Sequence, residues 1–208
     1  MRILTKYFTD FTEKQLQQYA ALKNLYDEWN QKINVISRKD MDYFYEHHVL
    51  HSLAIAAQFN FADGYQIMDL GAGGGFPGIP LAIFFPNVHF HLVDSINKKL
   101  KVADAIANEI ELKNITVQHT RAEEIKNQKF DVIVSRAVAP LKDLWYWSRP
   151  LLKSRTVHHS QKISGLICLK GGDLSKEIHE SGLQPKVYEI EKIFEEDFFR
   201  EKYILHVG

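Results

Sequence analysis

Between residues 12 and 31, apolar side chains recur at Leu16, Tyr19, Ala20, Leu22, Leu25, Tyr26 and Trp29, the spacing of a helix with one buried face. Thr12, followed three residues later by Gln15, has the form of a capping box, so the helix is predicted to begin there. A second helix is predicted over residues 40–60. Beyond it the pattern changes. Short runs at residues 66–70, 90–93, 115–118, 131–135, 165–169, 186–190 and 203–207 read as strands. Helical spacing returns between them near residues 79–85, 96–110, 141–152 and 174–181. Such alternation predicts a largely parallel sheet covered on both faces. The last two strands leave little room for a crossover helix, so a hairpin with an antiparallel strand near that edge is expected. The expected class is α/β: a seven-stranded, mostly parallel sheet over residues 63–208, behind a helical extension at residues 1–62.

Composition narrows the picture. The chain has 208 residues, 45% of them hydrophobic, enough for one domain with a real core and a modest extension. Its 26 basic and 26 acidic side chains give a formal charge of +0, so any contact with nucleic acid must come from a local patch. The lone cysteine, Cys168, excludes an internal disulfide and suits a reducing compartment. Met1-Arg2-Ile3-Leu4 is soon interrupted by Lys6 and Asp10, unlike a leader peptide. No apolar stretch approaches membrane-spanning length. A cytoplasmic monomer without membrane contact is the expectation.

The candidate chemistry sits at the first strand. Asp69-Leu70-Gly71-Ala72-Gly73-Gly74-Gly75-Phe76-Pro77-Gly78 links that strand to a helix, the context of a nucleotide-binding loop. Gly73-x-Gly75-x-x-Gly78 also fits the dinucleotide fingerprint loosely. A pyrophosphate, however, needs free N–H groups at a helix start, and Pro77 and Pro80 remove two of them. A ligand without phosphates, such as S-adenosylmethionine, loses nothing by that. Asp94-Ser95 ends the second strand about 20 residues on, where an acidic side chain accepts from ribose hydroxyls. The alternative for Asp94 is a helix cap, and the site reading is favoured. Asp69 braces the loop or receives the donor's ammonium group. Ligands of such sheets lie beyond the carboxyl ends of the strands. That rule adds Arg121-Ala122-Glu123, Ser135-Arg136 and Lys170-Gly171-Gly172. Ala122 and Glu123 suit either an adenine edge or an ordinary helix start. Arg136, a cation at a strand tip, has no packing reason to be there; it suits a phosphate, a nearby carboxylate or the acceptor base.

Several stretches together resemble the ribosomal RNA small subunit methyltransferase G family, also called glucose-inhibited division protein B. They are Trp29-Asn30 with Asn34-x-x-Ser37, His48-Val49-Leu50-x-Ser52-Leu53, the loop from Asp69 through Phe76-Pro77-Gly78-Ile79-Pro80-Leu81, Leu92-Val93-Asp94-Ser95 with Lys98-Lys99, Arg121-Ala122-Glu123, Ser135-Arg136-Ala137 and Leu169-Lys170-Gly171. The resemblance covers nearly the whole chain. It implies a Rossmann-like class I methyltransferase that uses S-adenosylmethionine to methylate a guanine N7 in 16S rRNA of the small subunit. Carried over by motif, Gly71, Phe76, Ala122, Glu123 and Arg136 would bind the donor, beside Asp69, Gly73, Asp94 and Ser95. Two departures stand out. His51 takes a place where relatives often carry Asp, and residues 153–162 form a long basic segment in place of a short turn. N7 has a lone pair and no proton, so no general base is required, and no catalytic residue is assigned beyond a positioning role for Arg136.

Other clusters carry two readings. His47 and His51 are spaced as a metal pair, but without further ligands a structural or RNA-contacting role is preferred, and no metal is expected. Tyr43, Phe44 and Tyr45 suit core packing or base stacking. His48, Lys98, Lys99 and Lys170 are the candidate RNA contacts, and the small subunit or its RNA the expected partner. Trp145 and Trp147 read as packing residues. A small-molecule methyltransferase of the same fold and a nicotinamide-dependent oxidoreductase remain as alternatives; a non-catalytic RNA-binding protein fits the intact loop less well.

Overall fold

The computed structural model describes residues 1–136, 138–154 and 163–208. Ala137 and most of the basic segment at 153–162 therefore lie outside the described residues. Four helices precede the sheet: α1 (Arg2–Tyr7), α2 (Glu13–Asn30), α3 (Arg38–Met41) and α4 (His51–Gln58). The capping box of α2 forms as predicted. The Gln15 N–H donates to the Thr12 hydroxyl at 3.3 Å, and the Thr12 N–H donates to the Gln15 side chain at 2.9 Å. Tyr19, Leu22 and Tyr26 are buried along the predicted face, whereas Ala20 is exposed.

The single helix predicted over residues 40–60 does not form. Ser37 caps α3, the chain turns at Asp42 and Tyr43, and Tyr45–Leu50 follows a π-helical course into α4. A π turn adds one residue to each hydrogen-bonded loop, which apolar periodicity does not register. Helix α1 was not anticipated either. Only Leu4 of its six residues is buried, too little for a periodic signal.

The sheet elements follow: β1 (Gln66–Leu70), α5 (Gly78–Phe84), β2 (His89–Asp94), α6 (Asn97–Glu109), β3 (Ile115–His119), β4 (Val132–Arg136), α7 (Leu141–Ser148), β5 (Gly165–Gly171), α8 (Ser175–Ser181), β6 (Lys186–Glu189) and β7 (Lys202–Val207). Their order is β3-β2-β1-β4-β5-β7-β6. The first five strands are mutually parallel, and β7 runs antiparallel between β5 and β6. This is the class I methyltransferase arrangement. From β1 the chain winds outward to β2 and β3, then returns to β4 on the other side, so a crevice opens at the carboxyl ends of β1, β2 and β4.

Alternation along the strands divides the core. Ile67 joins a cluster with Tyr19, Leu22, Leu53, Leu92 and Ile106, so the N-terminal helices pack directly on one face of the sheet. Met68 and Leu70 join Ile133, Leu141, Leu144 and Cys168 on the other. Burial pushes the Cys168 thiol up to about 12, as befits a core residue. No helix among the described residues is long and apolar enough to cross a membrane.

Candidate functional site

The loop after β1 is tied down at both ends. Gly71 and Ala72 donate to the Val93 carbonyl at 2.9 and 3.0 Å, stitching the loop to β2. Gly71 has φ +71, and a Cβ there would lie 2.7 Å from Val138, so both backbone and space require glycine. Asp69 is fully buried, and its Oδ2 accepts from the Gly78 N–H at 2.7 Å. That bond has a consequence for ligands. At the start of α5, Gly78 is engaged by Asp69, Ile79 donates to the Gly75 carbonyl at 2.7 Å, and Pro77 and Pro80 have no N–H. The start of α5 therefore offers a pyrophosphate no free donor at these positions.

Asp94 braces the backbone on both sides: one oxygen accepts from the Gly73 N–H and the other from the Ile96 N–H, each at 2.7 Å, whereas no side chain caps α6 itself. Asp94 thus pins the loop and the turn before α6. Beside it lies a cavity of about 380 Å³, within the range of small-molecule sites. Leu70, Val93, Ala122, Val138 and Trp147 give it apolar walls; Asp94, Ser95, Thr120, Arg121, Glu123 and Lys99 give it polar ones. Of the predicted donor residues, Gly71, Gly73, Asp94, Ser95, Ala122 and Glu123 line this space. Trp147 packs against the core cluster as predicted and in addition edges the cavity, a second role that nothing in the sequence signals.

Asp69, Phe76 and Arg136 are not on that wall. They belong to a second assembly against the N-terminal helices. The Arg136 guanidinium sits 4.9 Å above the Phe76 ring, which in turn packs on Tyr26 with ring centres 4.9 Å apart. Arg136 Nη1 donates to the His47 carbonyl at 3.5 Å, and Nη2 lies 3.3 Å from His48 Nδ1. A guanidinium only donates, so Nδ1 must accept and the proton of neutral His48 resides on Nε2. Nε2 is buried and has no partner among the described residues. Burial first, and the Arg136 charge second, push His48 down to about 3. Arg136 falls to about 10 through burial, offset chiefly by Asp69, and stays cationic at neutral pH. Burial raises Asp69 to about 7 against the opposing Gly78 N–H and Arg136, and its Oδ1 has no partner among the described residues. No spacing along the chain signals the Arg136–His48 contact, which joins residues 88 apart.

The remaining candidates are dispersed. Lys99 reaches the cavity, while Lys98 is exposed on the first turn of α6. Lys170, predicted as an RNA contact, is turned into the fold instead. It is buried, donates to the Ala139 carbonyl and pairs with Glu177 at 2.7 Å, so its ammonium is engaged within the fold and not free for a phosphate. His51 is buried, held neutral by burial and packed edge-on to Phe198 at 5.6 Å. Among the described residues no group of three or more His, Cys, Asp or Glu is placed to hold a metal ion.

Solved structures share this fold. A SAM-dependent methyltransferase from Aquifex aeolicus superposes with a TM-score of 0.55 at 14% identity, covering 82% of this chain and 97% of that one. A variant of MtNAS in complex with S-adenosylmethionine gives 0.59 at 14% identity, covering 92% and 74%. Sequence likeness is much stronger. A family model described as rRNA small subunit methyltransferase G matches residues 12–200. A Phocaeicola vulgatus protein named Ribosomal RNA small subunit methyltransferase G is 55% identical over 207 residues, covering 100% of this chain and 98% of that protein. A Flavobacterium psychrophilum protein of the same name is 47% identical, covering 100% and 97%. Identity at this level along the whole length means that the chain belongs to the rRNA small subunit methyltransferase G family.

Proposed function

We propose that this chain transfers a methyl group from S-adenosylmethionine to N7 of a guanine in the 16S rRNA of the small ribosomal subunit, in the cytoplasm. The observation that carries the choice of donor is the closed start of α5 beside a cavity edged by Asp94. When bound, S-adenosylmethionine supplies an electrophilic methyl on a sulfonium. The carboxylate of Asp94 keeps lone pairs for the ribose hydroxyls after accepting from Gly73 and Ile96. Ala122 and Glu123 take the adenine edge, with Val93 and Trp147 as apolar walls. Asp69 Oδ1, buried without a partner among the described residues, suits the donor's ammonium, and Arg136 suits its carboxylate.

N7 carries a lone pair and no proton, so the protein has to position the base and exclude water and need not supply a base. The surroundings agree: Arg136 is cationic, and His48 is neutral with Nδ1 engaged. The choice of RNA over a small acceptor rests on the family's name and on the likeness of the whole chain to its members.

Calorimetric titration with S-adenosylmethionine and with NAD tests the donor, and methyl transfer to 16S rRNA with mapping of the modified base tests the acceptor. Binding of S-adenosylmethionine alone is expected, weakened about tenfold or more in Asp94→Ala, since hydrogen bonds to a charged group are worth about 1.5–3 kcal/mol each. Binding of NAD alone would replace the methyltransferase by the oxidoreductase. Donor binding without transfer to RNA would point to a small acceptor.

A further inference from the structure

We infer that Tyr43 is a stacking platform for an unpaired base of the RNA that flanks the methylated one; this deepens the RNA reading above and rests on it. Tyr43 caps a column of parallel rings. Its ring stacks on His47 with centres 4.9 Å apart and planes at 11°, and His47 stacks on Phe198 at 3.8 Å and 14°. The inner end of the column is locked. Phe198 meets His51 and Phe199 edge-on at 5.6 and 5.2 Å, and Lys202 Nζ lies 5.2 Å from its ring centre. The middle is locked too, because Asp40 Oδ1 holds His47 Nδ1 at 3.1 Å while Ser37 donates to the other Asp40 oxygen at 3.0 Å. The outer end is open: Tyr43 remains 57% exposed although His47 covers one of its faces.

An exposed tyrosine whose ring is already held flat on one face loses little freedom when another flat ring lands on the other. A base supplies such a ring whatever its identity, and RNA presents unpaired bases in loops and bulges. The column is also continuous with the candidate reaction site, since the His47 carbonyl accepts from Arg136. A base on Tyr43 would therefore set the RNA relative to the tip of β4. Arg38 and Lys39, exposed just before it, are placed for the flanking phosphates, whereas Asp42 and Glu46 make the surroundings mixed in charge. Recognition here is by the face of the ring and not by a basic field.

The test uses the full chain with naked 16S rRNA and with small subunits as substrates, comparing wild type with Tyr43→Ala and Tyr43→Phe. Loss of one base–aromatic stack is expected to raise KM for naked RNA about tenfold in Tyr43→Ala. The kcat, the affinity for S-adenosylmethionine and the Tm should stay unchanged, and Tyr43→Phe should behave as wild type. An unchanged KM in Tyr43→Ala would overturn the proposal, and so would a Phe variant as impaired as the Ala variant. A defect seen only on assembled subunits would overturn it as well, because the platform would then face a ribosomal protein. If wild type binds the donor but methylates no RNA, the acceptor reading fails by itself. The platform is then judged by RNA affinity, where equal binding by wild type and Tyr43→Ala overturns it.

Discussion

Asp69 shows how far a fold can move one side chain from its ordinary chemistry. Burial disfavours the charge and pushes its carboxyl up to about 7 in the folded chain, against a usual value of 3.8. The folded state thus holds this proton more tightly than the unfolded state. The contribution to stability is fully present below about pH 4 and is lost as pH rises through 7. Asp69→Asn should abolish that trend. Between pH 5 and pH 8 the wild type should lose on the order of 2 kcal/mol more than the variant, measured by urea unfolding. Donor affinity should move the other way, rising through pH 7 as the carboxylate forms beside the ammonium it is proposed to hold. The residues that sequence reading could find here are those whose meaning is local: Gly71, Gly73 and Asp94 lie in one loop and at one strand tip. Trp147 and the Arg136–His48 pair depend on how distant elements meet, and no spacing along the chain encodes that.

At the scale of elements, the junction of β1 with α5 is tightly constrained. A Cβ on Gly78 would lie 2.7 Å from Asp69 Oδ2 and 2.8 Å from Leu92 Cδ1. Gly78→Ala should destabilise the protein by about 1–3 kcal/mol through overpacking, read as a lowered Tm. Affinity for the donor should fall with it, since the displaced helix start would drag Asp69 and the loop. The strands were legible from their apolar runs and α2 from its stripe and cap. The π-helical turn at Tyr45–Leu50 was not, because its neighbours still satisfy a helical pattern on either side. Lys170 was misread for a related reason. The rule that ligands lie at strand ends places the residue correctly but cannot tell that Glu177 on α8 will fold over to meet it.

For the whole molecule, a formal charge of +0 leaves RNA binding to a few local contacts. Affinity for RNA should therefore depend only weakly on salt, and removing Lys98 and Lys99 together should reduce the slope of log K against log salt by about two. Filter binding over a salt series checks this; an unchanged slope would place the phosphate contacts elsewhere. The α/β alternation made the class and the parallel direction of the first strands readable, though not their order, and the short final link signalled a hairpin. That β7 would sit inside this hairpin, next to β5, was not encoded in any segment.

Order in space and order of synthesis part company there. As the chain grows, β6 emerges before β7, yet β7 is its partner and separates it from β5. Until residues 202–207 appear, the buried run Leu166–Leu169 of β5 has an open edge, and Val187 of β6 has no strand to lie against. A nascent chain stalled near residue 200 would carry a nearly complete sheet with an apolar edge exposed, the form most prone to pairing with a second chain.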